Sequence, residues 1–578
     1  MDKKSYCIAW LMLLFVGSLH AQYRTTTYCN PLNLDYTYPF HNSHLGKSYR
    51  SGADPAVVEF RGEYYMFVTR SWGYWHSKDL LNWDFITPEK WYFEGCNAPA
   101  AHNYKDSILY VCGNPSGAMS ILYTDNPKRG DWKAVPSVLH DLQDPALFID
   151  DDERAYMYWG SSNRWPIRGK ELDMKNKFLP IAKKPDSLLF LRPDIHGWER
   201  FGENHTSDIK PFIEGAWMTK HNGKYYLQYA APGTQFNVYG DGVYVGKSPL
   251  GPFQYAAHNP FCYKPGGFAT GAGHGSTVCG PGGIYWHFGT IHLSINYKFE
   301  RRLCMFPTFF DEDGVMYSDT YFGDYPHYSP DQVSRQTTSG GFRGLMLLSY
   351  GKPVNDSSQL ESYPVENVTD ENLKTFWVAG KNDDKQWVEI DLEEVSDVYA
   401  LQLNFFDYEE TGFWGRMPNL RQRYLVEASV DGARWRVLVD YRNSFRDAPH
   451  NYIELDQPIE ARYIRYRHHY VPGKNLAMGN IRVFGLGRGK KPATVKGFTV
   501  VREADERNVR ISWKAVKGAQ GYNVLWGVAP DKLYSSWMVY GDNSLDLRAL
   551  TVGQKYYFAI EAFNENGISQ RVFLREAH

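Results

Sequence analysis

The chain has 578 residues, and its 63 Lys and Arg nearly cancel its 65 Asp and Glu. One hydrophobic core seldom extends beyond about 250 to 300 residues, so we expect two or three domains. The balanced charge argues against nucleic acid or an acidic membrane surface as partner and favours a neutral one. The 43 Tyr, 32 Phe and 18 Trp suit β-strands and sugar-stacking surfaces, which argues against a helical bundle.

The N-terminal segment, MDKKSYCIAWLMLLFVGSLHAQ, has the features of a secretory signal peptide. Two lysines precede an apolar stretch from Cys7 to Leu19, and small residues surround Ala21. The apolar stretch is shorter than the ~20 residues that a membrane-spanning helix needs. We therefore predict a signal peptide over residues 1–21, a secreted, periplasmic or cell-surface protein, and no membrane span.

Six cysteines remain after this segment, at positions 29, 96, 112, 262, 279 and 304. They have no Cys-x-x-Cys spacing, which argues against a zinc site. Outside the cytoplasm some of them can pair as disulfides, and the sequence does not indicate which.

A hairpin pattern of apolar strand, polar turn and aromatic strand recurs along the first half of the chain. GADPAVVEF at 52–60 and LQDPALFID at 142–150 open two copies, and EGAWMTKHNGKYYLQYA opens a third at Glu214. In the third copy, Asn222-Gly223 predicts a type I′ turn, which needs positive φ at both central residues. Weaker copies begin at Ala98 and His274, which gives five in all.

The starting points of these hairpins are about 45 to 70 residues apart, which is the length of a propeller blade with variable loops. The innermost strands of a propeller converge on its axis. We therefore predict a five-bladed β-propeller in which Asp54, Asp144 and Glu214, each at the start of an inner hairpin, face one another.

Three carboxyl groups at one end of the propeller axis, which we call the mouth, suit the hydrolysis of a glycosidic bond. Like charges at close range raise at least one pKa, and this reaction needs one protonated carboxyl and one ionised one. The alternative, that an Asp before Pro is only a turn residue, is common for any single position. Three such residues at equivalent places in three repeats favour the functional interpretation.

These motifs resemble the five-bladed propeller of the family 43 glycoside hydrolases over roughly residues 40–335. The resemblance implies that Asp54 is the general base, Asp144 modulates pKa and orients the acid, and Glu214 is the general acid of an inverting mechanism. It also implies a secreted exo-acting enzyme that removes terminal pentose or furanose residues, as arabinofuranosidases and xylosidases do, from an oligo- or polysaccharide. The chemistry requires no cofactor.

The same resemblance extends to residues around the mouth. His274 matches a histidine near the propeller axis, where calcium or a water cluster sits, although a structural role for this side chain is an equal alternative. Arg301 matches an arginine beside the acid, and Arg302 is the alternative, since neighbouring strand residues face opposite ways.

Several residues depart from the family pattern and bear on the sugar. Asn97 stands where the family commonly has Trp, which removes a stacking surface and keeps galactofuranosidase or galactosidase activity open. Ala216 and Trp217 follow Glu-Gly, where the family often has Pro, and Trp217, like Asn97, is a candidate substrate-binding residue. Trp72 and Trp75 are candidate replacements for the stacking surface, with packing in the blade core as the alternative.

Two further β-sandwich domains are predicted behind the propeller. Residues 350–488 resemble the discoidin-type (coagulation factor C-type) module, a possible carbohydrate-binding domain in which Phe413 and Trp414 form a candidate loop platform or are packed. Residues 492–578 resemble a fibronectin type III domain. A catalytically silent, sugar-binding propeller is the non-enzymatic alternative for the whole chain.

Overall fold

The computed structural model describes residues 26–39, 46–89, 96–114, 119–139, 142–333 and 340–575. The predicted signal peptide, with Cys7, lies outside these ranges. Strands dominate the described residues, as predicted for an all-β protein. The helical segments of the described chain are single 3-10 turns, at Pro127–Arg129, Met174–Asn176, Gly197–Glu199, Glu203–His205, Pro281–Gly283 and Val365–Val368.

The first domain contains five antiparallel sheets, four of four strands and one, the third, of five. Within each sheet the strands follow chain order, except that in the third the last two both pair with the strand before them. After β1 (Thr27–Tyr28), the strands are β2 (Ala56–Phe60), β3 (Glu63–Phe67), β4 (Tyr74–Ser77), β5 (Trp83–Ile86), β6 (Asn97–Tyr104), β7 (Ile108–Asn114), β8 (Met119–Thr124), β9 (Lys133–Leu139), β10 (Ala146–Ile149), β11 (Ala155–Trp159), β12 (Ile167–Asp173), β13 (Leu179–Pro180), β14 (Asp186–Leu189), β15 (Glu214–His221), β16 (Lys224–Ala231), β17 (Gly240–Gly246), β18 (Phe253–Tyr255), β19 (Gly271–Cys279), β20 (Tyr285–His292), β21 (Arg301–Phe310) and β22 (Met316–Ser318).

The five sheets form a closed ring, which is the arrangement of a β-propeller. The first strand of each sheet contacts the first strand of the next, and β19 of the last sheet contacts β2 of the first. Hydrogen bonds close the ring: the Val57 N–H donates to Ser276 Oγ over 2.8 Å, and the Asp54 N–H donates to Thr290 Oγ1 over 2.9 Å. Residues that precede the inner strands are thereby drawn towards one axis.

The hairpin turns follow their local chemistry. Asn222 and Gly223 have φ of 47° and 73°, as the predicted type I′ turn requires. Arg61 and Gly62, in the first hairpin, also have positive φ, at 55° and 77°. The strands therefore reverse where the sequence provides residues that tolerate the left-handed region.

The second domain is an eight-stranded, β-sandwich-like sheet system that follows the short strand β23 (His327–Tyr328). Two of its strands, of 19 and 21 residues, are much longer than the others. The strands are β24 (Met346–Leu347), β25 (Val354–Asp356), β26 (Trp377–Val378), β27 (Trp387–Phe405), β28 (Arg423–Ser429), β29 (Arg436–Asp440), β30 (His450–Tyr470) and β31 (Ala477–Leu486).

The third domain packs a three-stranded sheet and a five-stranded sheet over a common core. The first sheet has the order β32-β33-β36, and in the second β37 pairs with β34, β38 and β39. These strands are β32 (Lys496–Arg502), β33 (Val509–Lys514), β34 (Gly521–Gly527), β35 (Ser535–Tyr540), β36 (Ser544–Leu547), β37 (Tyr557–Asn564), β38 (Gly567–Ile568) and β39 (Val572–Arg575).

Buried charged groups join the propeller to the second domain. Arg482 forms a salt bridge with Glu371 at 2.7 Å and donates to the Asp324 carbonyl over 2.6 Å. The Asp324 carboxylate in turn pairs with Lys264 at 3.1 Å. Because breaking such a buried pair leaves an uncompensated charge, these contacts fix how the two domains sit.

The six cysteines in the described residues are free thiols, five of them buried and Cys279 exposed. No disulfide bond therefore links these six described cysteines. Among the described residues, none lies in a helix whose length and hydropathy would suit a membrane crossing.

Candidate active site

Each inner strand of the propeller has a residue in the left-handed region either just before it or within its first four residues. These residues are Asp54, Ala98, Asp144, Gly215 and His274, with φ between 43° and 66°. For a residue other than Gly this backbone is costly, and it persists only where the surroundings impose it. The left-handed residue recurs near the start of every inner strand. Asp54, Asp144, Glu214 and His274 lie at or beside these positions and meet at the same end of the axis.

Asp54 is buried and held as an ionised carboxylate. Its Oδ2 accepts a hydrogen bond from the Thr69 hydroxyl over 2.6 Å, and its Oδ1 lies 3.5 Å from Arg301 Nη1 and 3.3 Å from His274 Nδ1. Burial alone would raise its pKa, but Arg301, His274 and Thr69 outweigh burial and lower it. Asp54 thus stays charged more readily than an isolated aspartate does.

Asp144 has the opposite electrostatic character. Its side chain is 11% exposed, and burial raises its pKa to about 7, with the Glu214 and Asp54 carboxylates adding to the rise. His274, whose Nδ1 lies 3.8 Å from Asp144 Oδ2, acts against this shift. One proton is therefore retained in the acid cluster near neutral pH.

Glu214 is oriented by two hydroxyl groups. Ser161 Oγ donates to Glu214 Oε2 over 2.9 Å, and Tyr239 Oη donates to Oε1 over 2.6 Å. The next residue must be glycine, because a Cβ on Gly215 would lie 2.9 Å from His274 Cγ and φ there is 66°. The Glu-Gly pair thus places the carboxyl group and makes room for the imidazole.

His274 lies between the acids, and a buried group beneath the site holds its backbone. The N–H groups of His274 and Gly275 donate to the two carboxylate oxygens of Asp241 over 2.7 and 2.9 Å. His287 Nε2 lies 3.1 Å from the same carboxylate. Burial opposes protonation of His274, but Asp54 and the other carboxylates outweigh it and raise its pKa.

Asn97 does not replace the missing indole. Its Oδ1 accepts a hydrogen bond from Arg70 Nε over 2.6 Å, so it fixes an arginine in the first-blade loop. The Ala98 N–H donates to Thr69 Oγ1 over 2.8 Å, and Thr69 donates to Asp54. The start of the second blade therefore supports Asp54 through a polar contact.

Arg301 and Arg302 separate as alternation along β21 requires. Arg301 faces the site, where Nη1 also donates to Thr234 Oγ1 over 3.3 Å. Arg302 is buried on the other face, donating from Nε to His450 Nε2 over 2.8 Å. The geometry places Arg301, rather than Arg302, beside Asp54.

The three tryptophans predicted to contact substrate, Trp72, Trp75 and Trp217, are buried or half-buried. Trp75 is 1% exposed in the first-blade core and donates from Nε1 to Asp35 Oδ1, as the alternative of packing in the blade core implies. Trp217 is half-buried between blades and donates to the Thr277 carbonyl over 3.3 Å. Trp72 is 8% exposed, and the Trp414 ring meets it edge-on, 5.1 Å between ring centroids.

Phe413, the other member of the candidate loop platform in the second domain, is packed. Its ring lies 5.2 Å from that of Tyr38, and its N–H donates to Ser48 Oγ over 3.0 Å. Trp414, the next residue, is half exposed.

A calcium ion at the propeller axis near His274 stays a prediction. Within the described residues, no group of three or more His, Cys, Asp or Glu side chains has metal-binding geometry. Calcium prefers oxygen ligands, and the carboxylates nearest to the His274 ring are those of Asp54 and Asp144. No step below is assigned to a metal.

Four residues of the site were not predicted: Thr69, Ser161, Tyr239 and Asp241. Thr69, Ser161 and Tyr239 lie on loops that follow the second strand of a blade, and Asp241 lies on β17, the third strand of the fourth blade. Ser161 follows β11 in the third blade much as Thr69 follows β3 in the first. That equivalence is visible in the sequence once the repeats are aligned.

Residues 49–316 match the family described as Glycosyl hydrolases family 43, and residues 353–478 match the F5/8 type C domain. A beta-xylosidase from Xylanibacter ruminicola is 33% identical over 19% of this chain and 39% of its own length. An arabinoxylan arabinofuranohydrolase from Bacillus subtilis is 25% identical over 46% of this chain and 60% of its own length.

A beta-D-galactofuranosidase from Aspergillus niger is 25% identical over 45% of this chain and 80% of its own length. The chain thus spans only about two to three fifths of the first two relatives, so their activities are not transferred to it directly. The two family matches coincide with the propeller and with the eight-stranded domain. The chain therefore carries a family 43 glycosyl hydrolase domain in its propeller and an F5/8 type C domain directly behind it.

Proposed function

We propose that the propeller hydrolyses glycosidic bonds with inversion at the anomeric carbon and releases a terminal pentose or furanose residue from an oligo- or polysaccharide. The observation that carries this proposal is the pairing of opposite electrostatic environments in one mouth. The pKa of Asp54 is lowered, whereas that of its neighbour Asp144 is raised to about 7. A site that holds one carboxylate and one retained proton is what glycoside hydrolysis requires.

Asp54 acts as the general base. Its ionised carboxylate takes a proton from a water molecule as the water oxygen attacks the anomeric carbon. Arg301 and His274 keep Asp54 charged before the reaction, and Thr69 fixes Oδ2.

Glu214 acts as the general acid. It donates its proton to the glycosidic oxygen as the bond between that oxygen and the anomeric carbon breaks, and the leaving sugar departs as an alcohol. Asp144 modulates the proton inventory of the cluster, and Ser161 and Tyr239 hold the Glu214 carboxyl group in position. After one turnover Asp54 has gained a proton and Glu214 has lost one, and exchange with solvent restores both.

The identity of the sugar depends on Asn97 and Arg70, which form a polar pair where the family commonly has a flat, apolar indole. A polar pair suits additional hydroxyl contacts, so β-D-galactofuranoside is the second candidate substrate. The relative from Aspergillus niger is named a beta-D-galactofuranosidase.

The first experiment is a rate screen on aryl α-L-arabinofuranoside, β-D-xyloside, β-D-galactofuranoside and β-D-galactopyranoside, with the product anomer followed by NMR. We expect turnover of one substrate and first release of the inverted sugar. Retention of configuration would contradict the assigned mechanism. If wild-type protein turns over none of the four yet binds glycans on an array, the propeller is a sugar-binding protein and the proposed activity is wrong.

The acid assignment is tested by the leaving group. Glu214→Gln should lower kcat/KM on an oligosaccharide by about 10²- to 10⁴-fold, and far less on a 2,4-dinitrophenyl glycoside, whose leaving group needs no proton. Asp54→Asn should lower the rate on both substrates alike, because water activation is needed for each. Glu361→Gln, at an exposed glutamate in the second domain, is the control. An equal loss on both substrates for Glu214→Gln would reject its role as acid.

Three structural proposals accompany the activity. We propose that the ring of five sheets is the five-bladed propeller of the family, and that the third domain is of the fibronectin type III kind. Trp513 is buried in that domain, and the Tyr556 hydroxyl accepts a hydrogen bond from the Thr551 N–H over 3.1 Å, in the manner of a tyrosine corner. Export through residues 1–21 is the third, and cell fractionation with an N-terminally deleted variant tests it.

A further inference from the structure

Two tryptophans occupy equivalent places on the mouth face of the propeller and differ greatly in exposure. Trp72 lies two residues before β4, the third strand of the first sheet, and Trp165 lies two residues before β12, the third strand of the third sheet. Trp72 is 8% exposed, whereas Trp165 is 62% exposed. The repeat therefore places an indole on each side of the mouth and buries only one.

The second domain accounts for the burial of Trp72. The Trp414 ring packs edge-on against it, and a Cβ on Gly415 would lie 3.2 Å from the Trp72 ring. Gly415 is fixed there by two backbone hydrogen bonds with Tyr38, of 3.0 and 2.7 Å. On this side of the mouth, then, the neighbouring domain covers the indole.

Trp165 lies on the opposite side and is held without being covered. The N–H groups of Arg164 and Trp165 donate to Ser162 Oγ over 2.9 and 3.1 Å, which fixes the turn. The guanidinium of Arg168 lies 5.1 Å from the indole centroid and supports the ring. Its exposure therefore does not come from a loosely attached loop.

The loop that carries Trp165 is bound directly to the segment that carries Glu214. Ser162 and Ile213 exchange two backbone hydrogen bonds, each of 3.0 Å, and Ser161 donates to the Glu214 carboxylate over 2.9 Å. Phe212, on the same segment, is also exposed, at 37%. The open indole thus lies at the rim nearest to the proposed acid.

We propose that Trp165 forms a leaving-group subsite, where its indole stacks on the ring of the sugar next to the one that is removed. This inference rests on the proposed function. A general acid must lie beside the glycosidic oxygen, so the leaving sugar extends past Glu214 towards the rim that carries Trp165. A fixed, exposed indole suits a sugar ring, because the apolar face of the ring is buried and little side-chain freedom is lost on binding.

The experiment compares two substrates that carry the sugar identified in the rate screen. One is an oligosaccharide of three to five units, and the other is the glycosyl fluoride. The fluoride has no leaving sugar, so it reports on the chemistry without the proposed subsite. Trp165→Ala should lower kcat/KM for the oligosaccharide by about 10- to 100-fold, mostly through KM, and leave the fluoride within twofold. Trp165→Phe should retain most of the activity on the oligosaccharide.

Phe573→Ala is the matched control, because Phe573 is 63% exposed on β39 of the third domain. An unchanged KM for the oligosaccharide in Trp165→Ala, or an equal loss on both substrates, would overturn the subsite. Turnover of the fluoride by wild-type protein, lost in Asp54→Asn, keeps the proposed function separate from this outcome. If wild-type protein hydrolyses neither substrate, the proposed function fails first and the subsite fails with it.

Discussion

Replacing Asp144 by Asn should make the protein more stable at pH 8 while removing its activity. In the folded protein burial and the neighbouring carboxylates raise the pKa of Asp144 from 3.8 to about 7. The folded state therefore binds this proton more tightly than the unfolded state does. The contribution of Asp144 to stability is present at pH values below about 4 and is lost as pH rises from about 4 to about 7.

The size of the effect follows from that interval. Each unit of pKa shift corresponds to about 1.36 kcal/mol, and the rise from pH 4.5 to the folded pKa of about 7 covers roughly 2.5 units. Asp144 should thus lower the free energy of unfolding by about 3 kcal/mol more at pH 8 than at pH 4.5. Asparagine has a similar shape and no charge, so the variant should lack this term.

The assay is urea unfolding, followed by tryptophan fluorescence, of wild type and Asp144→Asn at pH 4.5, 6 and 8. We expect the free energy of unfolding of the variant, relative to wild type, to rise by about 3 kcal/mol over this range. Asp150→Asn provides a control of opposite sign in the same blade. Burial would raise the pKa of Asp150, but Lys220 and Tyr225 outweigh burial and lower it, so that replacement should destabilise the protein at pH 8.

Two results would refute this reasoning. If the stability difference between Asp144→Asn and wild type is the same at pH 4.5 and pH 8, then Asp144 is not protonated in the folded state. If the variant keeps wild-type activity on an oligosaccharide, Asp144 has no part in the proton inventory of the site.

Three further predictions concern the residues that hold the acids and the histidine. Gly215→Ala should lower the free energy of unfolding by about 2 to 4 kcal/mol, measured by calorimetry, because its Cβ would lie 2.9 Å from His274 and φ is 66°. Thr69→Val removes a hydrogen bond to the Asp54 carboxylate, so the acidic limb of the pH profile of kcat/KM should move up by about one unit; an unmoved limb would contradict this. Asp241→Asn should lower kcat by about 10- to 100-fold with little change in KM, because the amide cannot accept both backbone hydrogen bonds beneath the histidine; an increase in KM alone would argue for a role in binding instead.

The features that could be predicted from the sequence are those that local chemistry determines. Alternating strands and an Asn-Gly turn are read within one hairpin, and Asn222 and Gly223 adopt the positive φ that the turn requires. The convergence of Asp54, Asp144 and Glu214 needed one further step, the recognition that the hairpins repeat. Repetition converts a position along the chain into a position around an axis.

The residues that could not be predicted depend on contacts between repeats. The Asp241 carboxylate, on the fourth blade, accepts a hydrogen bond from the backbone N–H of His274, on the fifth blade. Nothing near Asp241 in the sequence indicates that it is buried beneath a histidine. The sequence left two roles open for Trp75, substrate contact and core packing, because an aromatic residue on a strand has the same local pattern whether it faces the core or the mouth. Its 1% exposure follows from the packing of the first blade, which only the structure supplies.

The same distinction explains why Trp72 and Trp165 differ. Within one blade each has the same place before the third strand, and the propeller alone would give them similar surroundings. The second domain reaches only one side of the mouth, because Tyr38 and Gly415 pair there. The covered side lies on the blade of the proposed base, whereas the open side adjoins the proposed acid, where a leaving sugar needs a way out. The F5/8 type C domain therefore makes the mouth asymmetric, and that asymmetry suits an enzyme that acts on chain ends.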